Sequence, residues 1–155
     1  MATVADVLAR KGARVFAITP AATVLEATRV MNRHKIGALV VTNSQHFFDE
    51  EDHTDRVAGM ITERDVLTRL VAEQRDPAQT LVETIMTTDV AFCTPQDDID
   101  MIAATFQQRR IRHLPVCDEE GQVIGMISIG DLNAWHAMGK DVEIHYLHEY
   151  IHGRV

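Results

Sequence analysis

Two short segments of the chain combine a hydroxyl side chain with an aspartate three positions later. Thr62 is followed by Asp65, and Ser128 is followed by Asp131, each directly after an apolar run. If a helix begins at each hydroxyl residue, its first backbone N–H groups have no partner within the helix and favour an anion. The aspartate one turn further on can accept two hydrogen bonds from a ribose diol. The same spacing is also a plain helix-capping pattern that needs no ligand, and the residues alone leave both interpretations open.

These two segments belong to a pattern that occurs twice in the chain. Residues 58–66 and residues 124–132 both read apolar–Gly–Met–Ile–(Thr/Ser)–x–x–Asp–apolar. In each half, a proline, a helical stretch and an apolar run come before this pattern, beginning at Pro20 and at Pro95. A duplication with the same order of features predicts two copies of one supersecondary unit.

Each copy is predicted to fold as strand, helix, strand, strand, helix. The helix that begins at Thr23 has Glu26 three residues later, which is a capping-box pattern. Short apolar runs rich in β-branched residues predict covered strands. The predicted elements are strands 15–18, 36–41 and 57–61 with helices 23–34 and 63–73 in the first copy, and strands 90–93, 114–117 and 123–127 with helices from 98 and from 129 in the second.

The predicted fold class is α/β, with tandem β-α-β-β-α repeats packed face to face and related by pseudo-two-fold symmetry. A unit of about 55 residues would hardly bury its sheet alone, so we expect the two copies to share one body. Short helices are predicted at 3–11 and 81–86, and the polar, acidic segment 43–56 is predicted to be a loop. The predicted division is a first repeat with an N-terminal helix over 1–80, a second repeat over 81–138 and a C-terminal helical tail over 139–155.

The order of elements, the proline before the first helix and the glycine-containing pattern at the last strand–helix junction resemble the CBS domain. Two such units in tandem resemble a CBS pair, or Bateman module, over about residues 3–138. The resemblance implies a regulatory, signal-transduction module that binds AMP, ADP, ATP or NAD between the repeats, with S-adenosylmethionine as a weaker candidate. It also implies that the aspartate contacts the ribose and that the helix start lies near the phosphate. The positions implied for ligand binding are Thr19, Lys35, Ile36, Gly37, Ala38, Thr62, Arg64, Asp65, Thr94, Arg112, His113, Ser128, Gly130 and Asp131.

Basic residues are distributed unequally between the two copies. Arg112 and His113 precede a strand of the second copy at positions where the first copy has Gly37 and Ala38. In the family that the chain resembles, basic residues at these positions often reach phosphates, and the planar fork of arginine suits that contact. The alternative is a solvated basic strand edge that discourages aggregation. We therefore expect one cleft to favour phosphates and the other to recognise mainly a base and a ribose.

Arg64 is a further candidate for a phosphate contact, because it lies at the start of a predicted helix; the alternative is a surface charge. The second copy has Gly130 at the matching position. The differences between the copies argue against equal occupancy of the two clefts.

The composition of the 155 residues is ordinary for a soluble globular protein. The formal net charge of −8 disfavours nucleic acid as a partner, because neutralising its backbone needs a surplus of Lys and Arg. No apolar run approaches the roughly 20 residues of a membrane span, and the first residues lack signal-peptide features, so we expect a cytoplasmic protein without membrane contact. Cys93 and Cys117 are expected to be buried, reduced thiols.

No recognisable catalytic motif occurs in the chain, which carries no Gly-x-Ser-x-Gly, Walker loop, His-Glu-x-x-His or Gly-x-Gly-x-x-Gly pattern. We therefore predict a protein that is not an enzyme, forms a homodimer and passes its ligand state to an unidentified regulated protein. The alternative from another class is a constitutive dimeric interaction scaffold, in which Asp65 and Asp131 only cap helices and no nucleotide binds. A redox-responsive or metal-responsive protein is a third, weaker hypothesis.

Histidines are the candidate metal ligands of the sequence, although no metal site is predicted. Their spacing in the predicted tail places His145, His148, His152 and Glu149 on one helix face. An amphipathic tail that packs on a partner chain is the favoured interpretation of that face. His46 and His53 are interpreted as parts of the solvated acidic loop.

Overall fold

The two copies of the sequence pattern form two matching units of helices and strands. The computed structural model describes residues 1–43 and 56–139. His46 and His53 of the predicted loop lie outside these described residues, as do residues 140–155 with the histidines of the predicted tail. Over the described ranges, no helix has the length and apolar character needed to cross a membrane.

The first unit contains, in chain order, a three-stranded sheet and three helices. Its strands are β1 (Ala17–Ile18), β2 (Ala38–Val41) and β3 (Gly59–Thr62), with β2 in the middle, parallel to β1 and antiparallel to β3. Its helices are α1 (Val4–Lys11), α2 (Val24–His34) and α3 (Glu63–Asp65), and α3 continues as a π-helical segment, Val66–Val71. The order of elements predicted for the first copy is confirmed.

The second unit repeats this order with fewer paired strand residues. Its helices are α4 (Val82–Ile85), α5 (Ile99–Arg109) and α6 over 129–139, and its strands are β4 (His113–Cys117) and β5 (Val123–Ser128). β4 and β5 are antiparallel. The α/β class and the tandem arrangement predicted from the sequence are therefore confirmed.

Single residues determine where helices α2 and α5 begin and end. Thr23 Oγ1 accepts a hydrogen bond from Glu26 N–H (3.2 Å), and a Glu26 carboxylate oxygen accepts one from Thr23 N–H (2.7 Å), so the predicted capping box is present. Asp98 caps α5 without a capping box, and its Oδ1 accepts a hydrogen bond from Asp100 N–H (2.7 Å). Both helices end at a left-handed residue, Lys35 (φ 57°) in α2 and Arg110 (φ 55°) in α5. These turns lead the chain directly into the segments that line the clefts described below.

The predicted strand 90–93 is reduced to a single bridge between one residue and β4. Cys93 N–H donates to Pro115 O (3.0 Å), and Cys117 N–H donates to Cys93 O (2.8 Å). In the first unit, Val40 N–H donates to Phe16 O (3.2 Å) and extends the ladder by one more bond. Pro115 occupies the position of Val40 in the repeat, and a proline has no N–H to donate. The full-length strand predicted here is thus wrong, because the proline removes the bond that would have extended it.

The helix predicted after β3 is α-helical only in α3 and then widens into the π-helical segment. Ala72 N–H donates to Leu67 O (3.0 Å), which lies five residues back instead of four. Thr68 Oγ1 donates to Arg64 O (2.8 Å), and a side-chain bond of this kind competes for a helix carbonyl and bends helices. The wider turn carries Leu67 and Thr68 to the rim of one of the clefts.

The two short helices are exchanged between the units. α1 contributes Val4, Val7 and Leu8 to an apolar cluster with residues of α5, β4 and β5, which belong to the second unit. α4 contributes Val82 and Ile85 to an apolar cluster with residues of α2, β2 and β3, which belong to the first unit. Each unit is therefore completed by a helix that belongs, in chain order, to the other repeat.

Matching hydrogen bonds hold the two exchanged helices in place and reveal the pseudo-two-fold symmetry. Each helix start donates to carbonyls just before the long helix of the opposite unit. The bonds are Val4 N–H to Asp97 O (2.9 Å), Ala5 N–H to Pro95 O (2.8 Å), Val82 N–H to Ala22 O (2.8 Å) and Glu83 N–H to Pro20 O (3.1 Å). The domain boundaries proposed along the chain, 1–80, 81–138 and 139–155, stay a prediction.

A third apolar cluster joins the two units. It contains Val15 and Val40 from the first unit and Cys117 and Val123 from the second, all of them at most 3% exposed. An antiparallel bridge between Arg56 and Gln122 also connects the units. The face-to-face packing expected from the duplication is therefore confirmed, and it leaves a cleft on each side where elements of both units meet.

Candidate ligand-binding clefts

The larger cleft, of about 440 Å³, lies between the start of α3 and the segment that precedes β4. Thr62 and Arg64 line it from the first unit, while Arg112 and His113 line it from the second. The connection that follows α4, residues 87–91, forms another wall. The left-handed residue at the end of α5 turns the chain toward this cleft. The larger cleft thus joins two segments that lie about 50 positions apart in the sequence.

The smaller cleft, of about 260 Å³, is the pseudo-symmetric counterpart. Ser128 and Asp131 at the start of α6 line it from the second unit, and residues 35–38 line it from the first. Lys11 at the end of α1 and Arg14 after it complete the wall. Gly37 and His113 line both clefts, so they separate the two cavities.

A capping box closes the helix start in each cleft. Thr62 N–H and Thr62 Oγ1 donate to Asp65 Oδ2 (3.0 and 3.2 Å), and Asp65 N–H donates to Thr62 Oγ1 (3.3 Å). Ser128 N–H and Ser128 Oγ donate to Asp131 Oδ2 (2.7 and 2.9 Å), and Asp131 N–H donates to Ser128 Oγ (3.2 Å). Both hydroxyl–aspartate pairs therefore form the capping boxes that one interpretation of the sequence predicted. It leaves the second oxygen of each carboxylate outside the capping box.

Asp65 is buried behind the wall of the larger cleft. Its side chain is 8% exposed, and its Oδ1 accepts a hydrogen bond from Thr87 Oγ1 (3.2 Å). Arg69 Nε lies 3.9 Å from the same oxygen. Thr87 lines the larger cleft, whereas Asp65 does not. A ligand can therefore reach Asp65 only if the Thr87 hydroxyl turns aside.

Asp131 is more accessible than Asp65 and has a closer charged partner. Lys11 Nζ lies 2.7 Å from Asp131 Oδ2, and the two side chains are 30% and 23% exposed. A contact this short between opposite charges is a charge-assisted hydrogen bond. Lys11 thus contacts the Asp131 oxygen that the capping box already holds, whereas Thr87 Oγ1 and Arg69 Nε lie beside the other oxygen of Asp65.

Arginines from both units meet in the larger cleft. Arg64 Nη1 donates to Arg110 O (3.1 Å), a carbonyl at the left-handed end of α5. This bond ties the start of α3 to the segment that carries Arg112 and His113. Glu63 and Asp89 also line the cleft, so its charge is mixed. The arrangement offers guanidinium groups beside a helix start, which is suited to a phosphate-bearing ligand.

His113 lies in the wall between the clefts and is half-buried. Burial lowers the pKa of His113 below its ordinary value of 6.5, because the charged ring loses hydration. The carboxylates of Asp131 and Glu63 oppose this shift, and the charges of Lys11 and Arg112 reinforce it. At neutral pH the ring is therefore uncharged, so it offers a phosphate a hydrogen bond without a full positive charge.

The structure brings most of the predicted ligand-binding residues to the two clefts and leaves four outside their walls. Those at the larger cleft are Gly37, Thr62, Arg64, Arg112 and His113. Those at the smaller cleft are Lys35, Ile36, Gly37, Ala38, His113, Ser128 and Asp131. Thr19, Asp65, Thr94 and Gly130 line neither cleft. Their ligand contacts stay a prediction.

Two of the four outlying residues are held in turns before helices. Thr19 O accepts a hydrogen bond from Ala22 N–H (3.2 Å), ahead of α2. Thr94 N–H donates to Asp97 Oδ2 (2.8 Å), ahead of α5. These bonds organise the chain locally and lie away from both cavity walls.

The smaller cleft, which we expected to recognise mainly a base and a ribose, also has basic residues in its wall. The smaller cleft is lined by Lys11, Arg14 and Lys35 although it faces Gly37 and Ala38. Lys11 and Arg14 come from α1 and the residues after it, and the exchange of α1 onto the second unit carries them there. A comparison of the two copies position by position therefore missed them.

Several residues of the larger cleft were also missed. They include Arg110, Ile111 and the connection 87–91, which has no obvious repeat signal. Arg110 stands two positions before the predicted Arg112 and could have been included on that ground. The connection 87–91 could not, because its position depends on how α4 docks against the first unit.

Neither cysteine is placed for redox chemistry. Cys93 and Cys117 are free and buried. Burial raises the pKa of Cys93 to about 12 and also raises that of Cys117, so a reactive thiolate is scarce at neutral pH. Among residues 1–43 and 56–139, no three His, Cys, Asp or Glu side chains are grouped so that they could hold a metal ion.

Comparisons with known proteins agree with the duplicated architecture. The model of the CBS domain matches residues 4–72 and 82–136. A CBS domain-containing protein of Arabidopsis thaliana, CBSX3, mitochondrial, is 32% identical over 97% of this chain and 72% of its own length. The solved structure of a CBS-domain containing protein from Agrobacterium tumefaciens is 33% identical, with a TM-score of 0.74 over 85% of this chain and 91% of that one.

A more distant solved structure carries a ligand. The CBS domain protein PAE2072 from Pyrobaculum aerophilum, complexed with AMP, is 22% identical, with a TM-score of 0.69 over 84% of this chain and 89% of that one. At this identity the likeness concerns the fold. The family model matches both repeats and most of the chain, so the chain belongs to the CBS-domain family, with two CBS domains in tandem.

Proposed function

We propose that this CBS pair is a regulatory module that binds an adenosine-containing ligand, AMP, ADP, ATP or NAD, in the larger cleft. S-adenosylmethionine is a weaker candidate because its charge is not that of a phosphate. The observation that carries the proposal is the meeting of Thr62 and Arg64 with Arg112 and His113 around a cavity of about 440 Å³. Small-molecule sites span about 300 to 1,000 Å³, and this cleft falls in that range.

The chemistry of the larger cleft suits the parts of such a ligand. Arg64 and Arg112 offer guanidinium donors to phosphate oxygens, and the Thr62 end of α3 adds the favourable field of a helix start. Thr87 covers the carboxylate of Asp65 with a neutral hydrogen bond. A ribose hydroxyl can replace that bond with an equivalent one once Thr87 turns aside. The apolar side chains of Leu67, Val90 and Ile111, among others, provide surface for a base.

A ligand in the larger cleft would act as a link between the repeats. It would contact α3 of one unit and the segment before β4 of the other, and so favour one relative arrangement of the two. A regulated protein can respond only if it binds the two arrangements with different affinity. The AMP complex of the Pyrobaculum aerophilum relative supports an adenosine ligand for this chain.

The proposed function also covers the partner and the compartment. We propose a homodimer that passes its ligand state to a regulated protein without catalysing a reaction itself. The free, buried thiols of Cys93 and Cys117 support the reducing cytoplasm as its compartment.

Thermal unfolding with AMP, ADP, ATP, NAD and S-adenosylmethionine, each titrated separately, tests this proposal. A ligand at 100 times its dissociation constant stabilises the folded protein by about 2.7 kcal/mol, which raises the unfolding temperature by several degrees. Arg112→Gln should reduce this shift at a fixed ligand concentration. Arg109→Gln is the matched control, because Arg109 is exposed at the end of α5 and lines neither cleft.

Absence of a saturable shift from all five ligands, on folded protein freed of carried-over nucleotide, would refute the proposal. If Arg112→Gln and Arg109→Gln reduced the ligand-induced rise in unfolding temperature equally, the ligand would not bind in the larger cleft.

A constitutive dimeric scaffold is the second candidate. It is favoured by the capping boxes, which already engage Asp65 and Asp131 without a ligand. Leu67 and Val71 are also 63% and 59% exposed, and they lie one turn apart on the π-helical segment. Both candidates are dimers, so the thermal unfolding series with nucleotides distinguishes them. A scaffold keeps the same dimer with and without nucleotide and shows no ligand-dependent stability.

A further inference from the structure

We infer that Thr87 determines how strongly the larger cleft distinguishes a ribose from a sugar without free hydroxyls. This inference rests on the proposed function, which assigns Asp65 to the ribose, and adds a specificity-determining residue to it. Thr87 lines the larger cleft, and its Oγ1 donates to Asp65 Oδ1 (3.2 Å). The capping box holds Asp65 Oδ2, and the Asp65 side chain is only 8% exposed. The Thr87 hydroxyl therefore covers the carboxylate oxygen that the capping box leaves for a ligand.

The backbone of Thr87 is fixed, so only rotation of its side chain can uncover Asp65. Thr87 N–H donates to Met60 O (2.8 Å), and Met60 N–H donates to Thr87 O (2.9 Å). The two carbonyls just before Thr87 accept from Arg69 Nη1, at 3.1 Å each. These bonds attach the end of α4 to β3 and to the π-helical segment. The fold thus holds the hydroxyl in front of the carboxylate.

Arg69 compensates the charge of Asp65 without taking the place of the hydroxyl. Its Nε lies 3.9 Å from Asp65 Oδ1, which is beyond hydrogen-bond distance. A ribose hydroxyl that displaces Thr87 forms one hydrogen bond to this oxygen and breaks another, so the exchange adds little affinity. A sugar without hydroxyls leaves the bond of Thr87 intact. We therefore expect the wild-type cleft to bind both kinds of sugar similarly.

The second unit shows the same helix start without a hydroxyl in front of its aspartate. The matching hydrogen bonds at the starts of α1 and α4 align the two helices, and this register places Ala9 where the first unit has Thr87. Asp131, the counterpart of Asp65, lines the smaller cleft, and its side chain is 23% exposed. The contact of Lys11 with Asp131 goes to Oδ2, the oxygen of the capping box. An alanine at this position thus accompanies a carboxylate that is accessible from its cleft.

Titration calorimetry on the full chain tests the inference, with AMP and with the AMP analogue that lacks both ribose hydroxyls (dideoxy-AMP). Wild type should bind the two compounds with affinities within about threefold of each other, because one bond to Asp65 replaces another. Thr87→Ala should bind AMP about tenfold more tightly than wild type does, since the ribose gains a bond to a charged acceptor without breaking one. Its affinity for dideoxy-AMP should stay unchanged.

Two further variants separate the hydroxyl of Thr87 from its place in the chain. Thr87→Ser keeps the hydroxyl and should bind both compounds as wild type does. Thr88→Ala is the matched control, because Thr88 is the next residue, is exposed and lines neither cleft. It should change neither affinity. Thermal unfolding of each protein without ligand verifies that it is folded.

Each result decides the inference and separates it from the proposed function. An equal change in both affinities in Thr87→Ala would overturn the inference and leave the larger cleft as a nucleotide site. Weaker binding of AMP alone would also overturn it, because Thr87 would then contact the ribose itself. A preference of wild type for AMP of about tenfold or more would overturn it without any variant. If folded wild type bound neither compound, both the inference and AMP as the ligand of the proposed function would be overturned.

Discussion

His113 is the residue through which the two clefts meet, and it makes stability sensitive to pH. Its ring lines both cavities, faces Asp131 and Glu63 as well as Lys11 and Arg112, and has a pKa lowered by burial. A lowered pKa means that the unfolded chain takes up a proton at this position more readily than the folded protein. The stability that His113 contributes is therefore complete above its unfolded pKa of 6.5 and is lost as the pH falls below that value toward the folded pKa.

His113→Gln should flatten the pH dependence of stability in this window. Wild-type protein should lose free energy of unfolding as the pH is lowered from about 7.5 to about 5.5, before most carboxylates titrate. The variant should lose less over the same interval, because glutamine does not take up a proton. Urea unfolding at a series of pH values measures both slopes. Parallel slopes for wild type and variant would show that His113 is not the group responsible.

Gly59 and Gly125 occupy the same position in β3 and β5 and explain why the repeated pattern needs a glycine. A Cβ atom at Gly59 would lie 2.7 Å from Thr87 O and 2.9 Å from Met86 Sδ, at the end of α4. A Cβ atom at Gly125 would lie 2.9 Å from a methyl carbon of Leu8, in α1. Each glycine therefore lets the exchanged helix, or the residues just after it, approach the strand closely.

Gly59→Ala should destabilise the protein by about 1–3 kcal/mol, because the added methyl group meets a backbone carbonyl that cannot move without disturbing the pairing of Met60 with Thr87. Gly130→Ala is the matched control. Its Cβ would meet only Ser128 Oγ, at 3.6 Å, and alanine is favoured over glycine in a helix by up to about 1 kcal/mol. Denaturant unfolding of the two variants should therefore give changes of opposite sign. A Gly59→Ala protein as stable as wild type would contradict the close approach of α4.

At the scale of the whole molecule, the exchange of α1 and α4 makes each repeat depend on the other. Val7 is 3% exposed within the cluster formed with α5, β4 and β5, and Val82 is fully buried within the cluster formed with α2, β2 and β3. The same exchange brings Lys11 to the smaller cleft and the connection 87–91 to the larger one. Changes in the clefts and changes in the packing of these helices are therefore expected to be coupled.

Val7→Ala and Val82→Ala should each lower the free energy of unfolding by about 1–3 kcal/mol, through lost burial and the cavity left behind. Each substitution should loosen the unit against which its helix packs, and not the unit to which that helix belongs in chain order. Hydrogen exchange should accelerate mainly in α5 and β4 for Val7→Ala, and mainly in α2 and β2 for Val82→Ala. Acceleration of α2 and β2 by Val7→Ala would rule out the exchanged arrangement.

Interactions between near neighbours in the chain were the ones that the sequence predicted well. The capping boxes at Thr23, Thr62 and Ser128 depend on a side chain three residues from its partner, so residue spacing is enough to identify them. The order of strands and helices follows from apolar periodicity, and the duplication follows from the pattern itself. Even the shortened strand before Pro95 could have been predicted from Pro115, since the missing N–H is a property of one residue.

The composition of the clefts was decided by the tertiary structure. Arg64 meets the carbonyl of Arg110 across 46 positions, and Lys11 meets Asp131 across 120. Such contacts depend on where two units dock and on how far a helix extends before it ends, and no local spacing encodes either distance. The chain by itself thus determined two repeats with an anion-favouring helix start in each. Only the packing of those repeats decided that one start faces arginines in the larger cleft, while the aspartate at the other start pairs with a lysine from an exchanged helix.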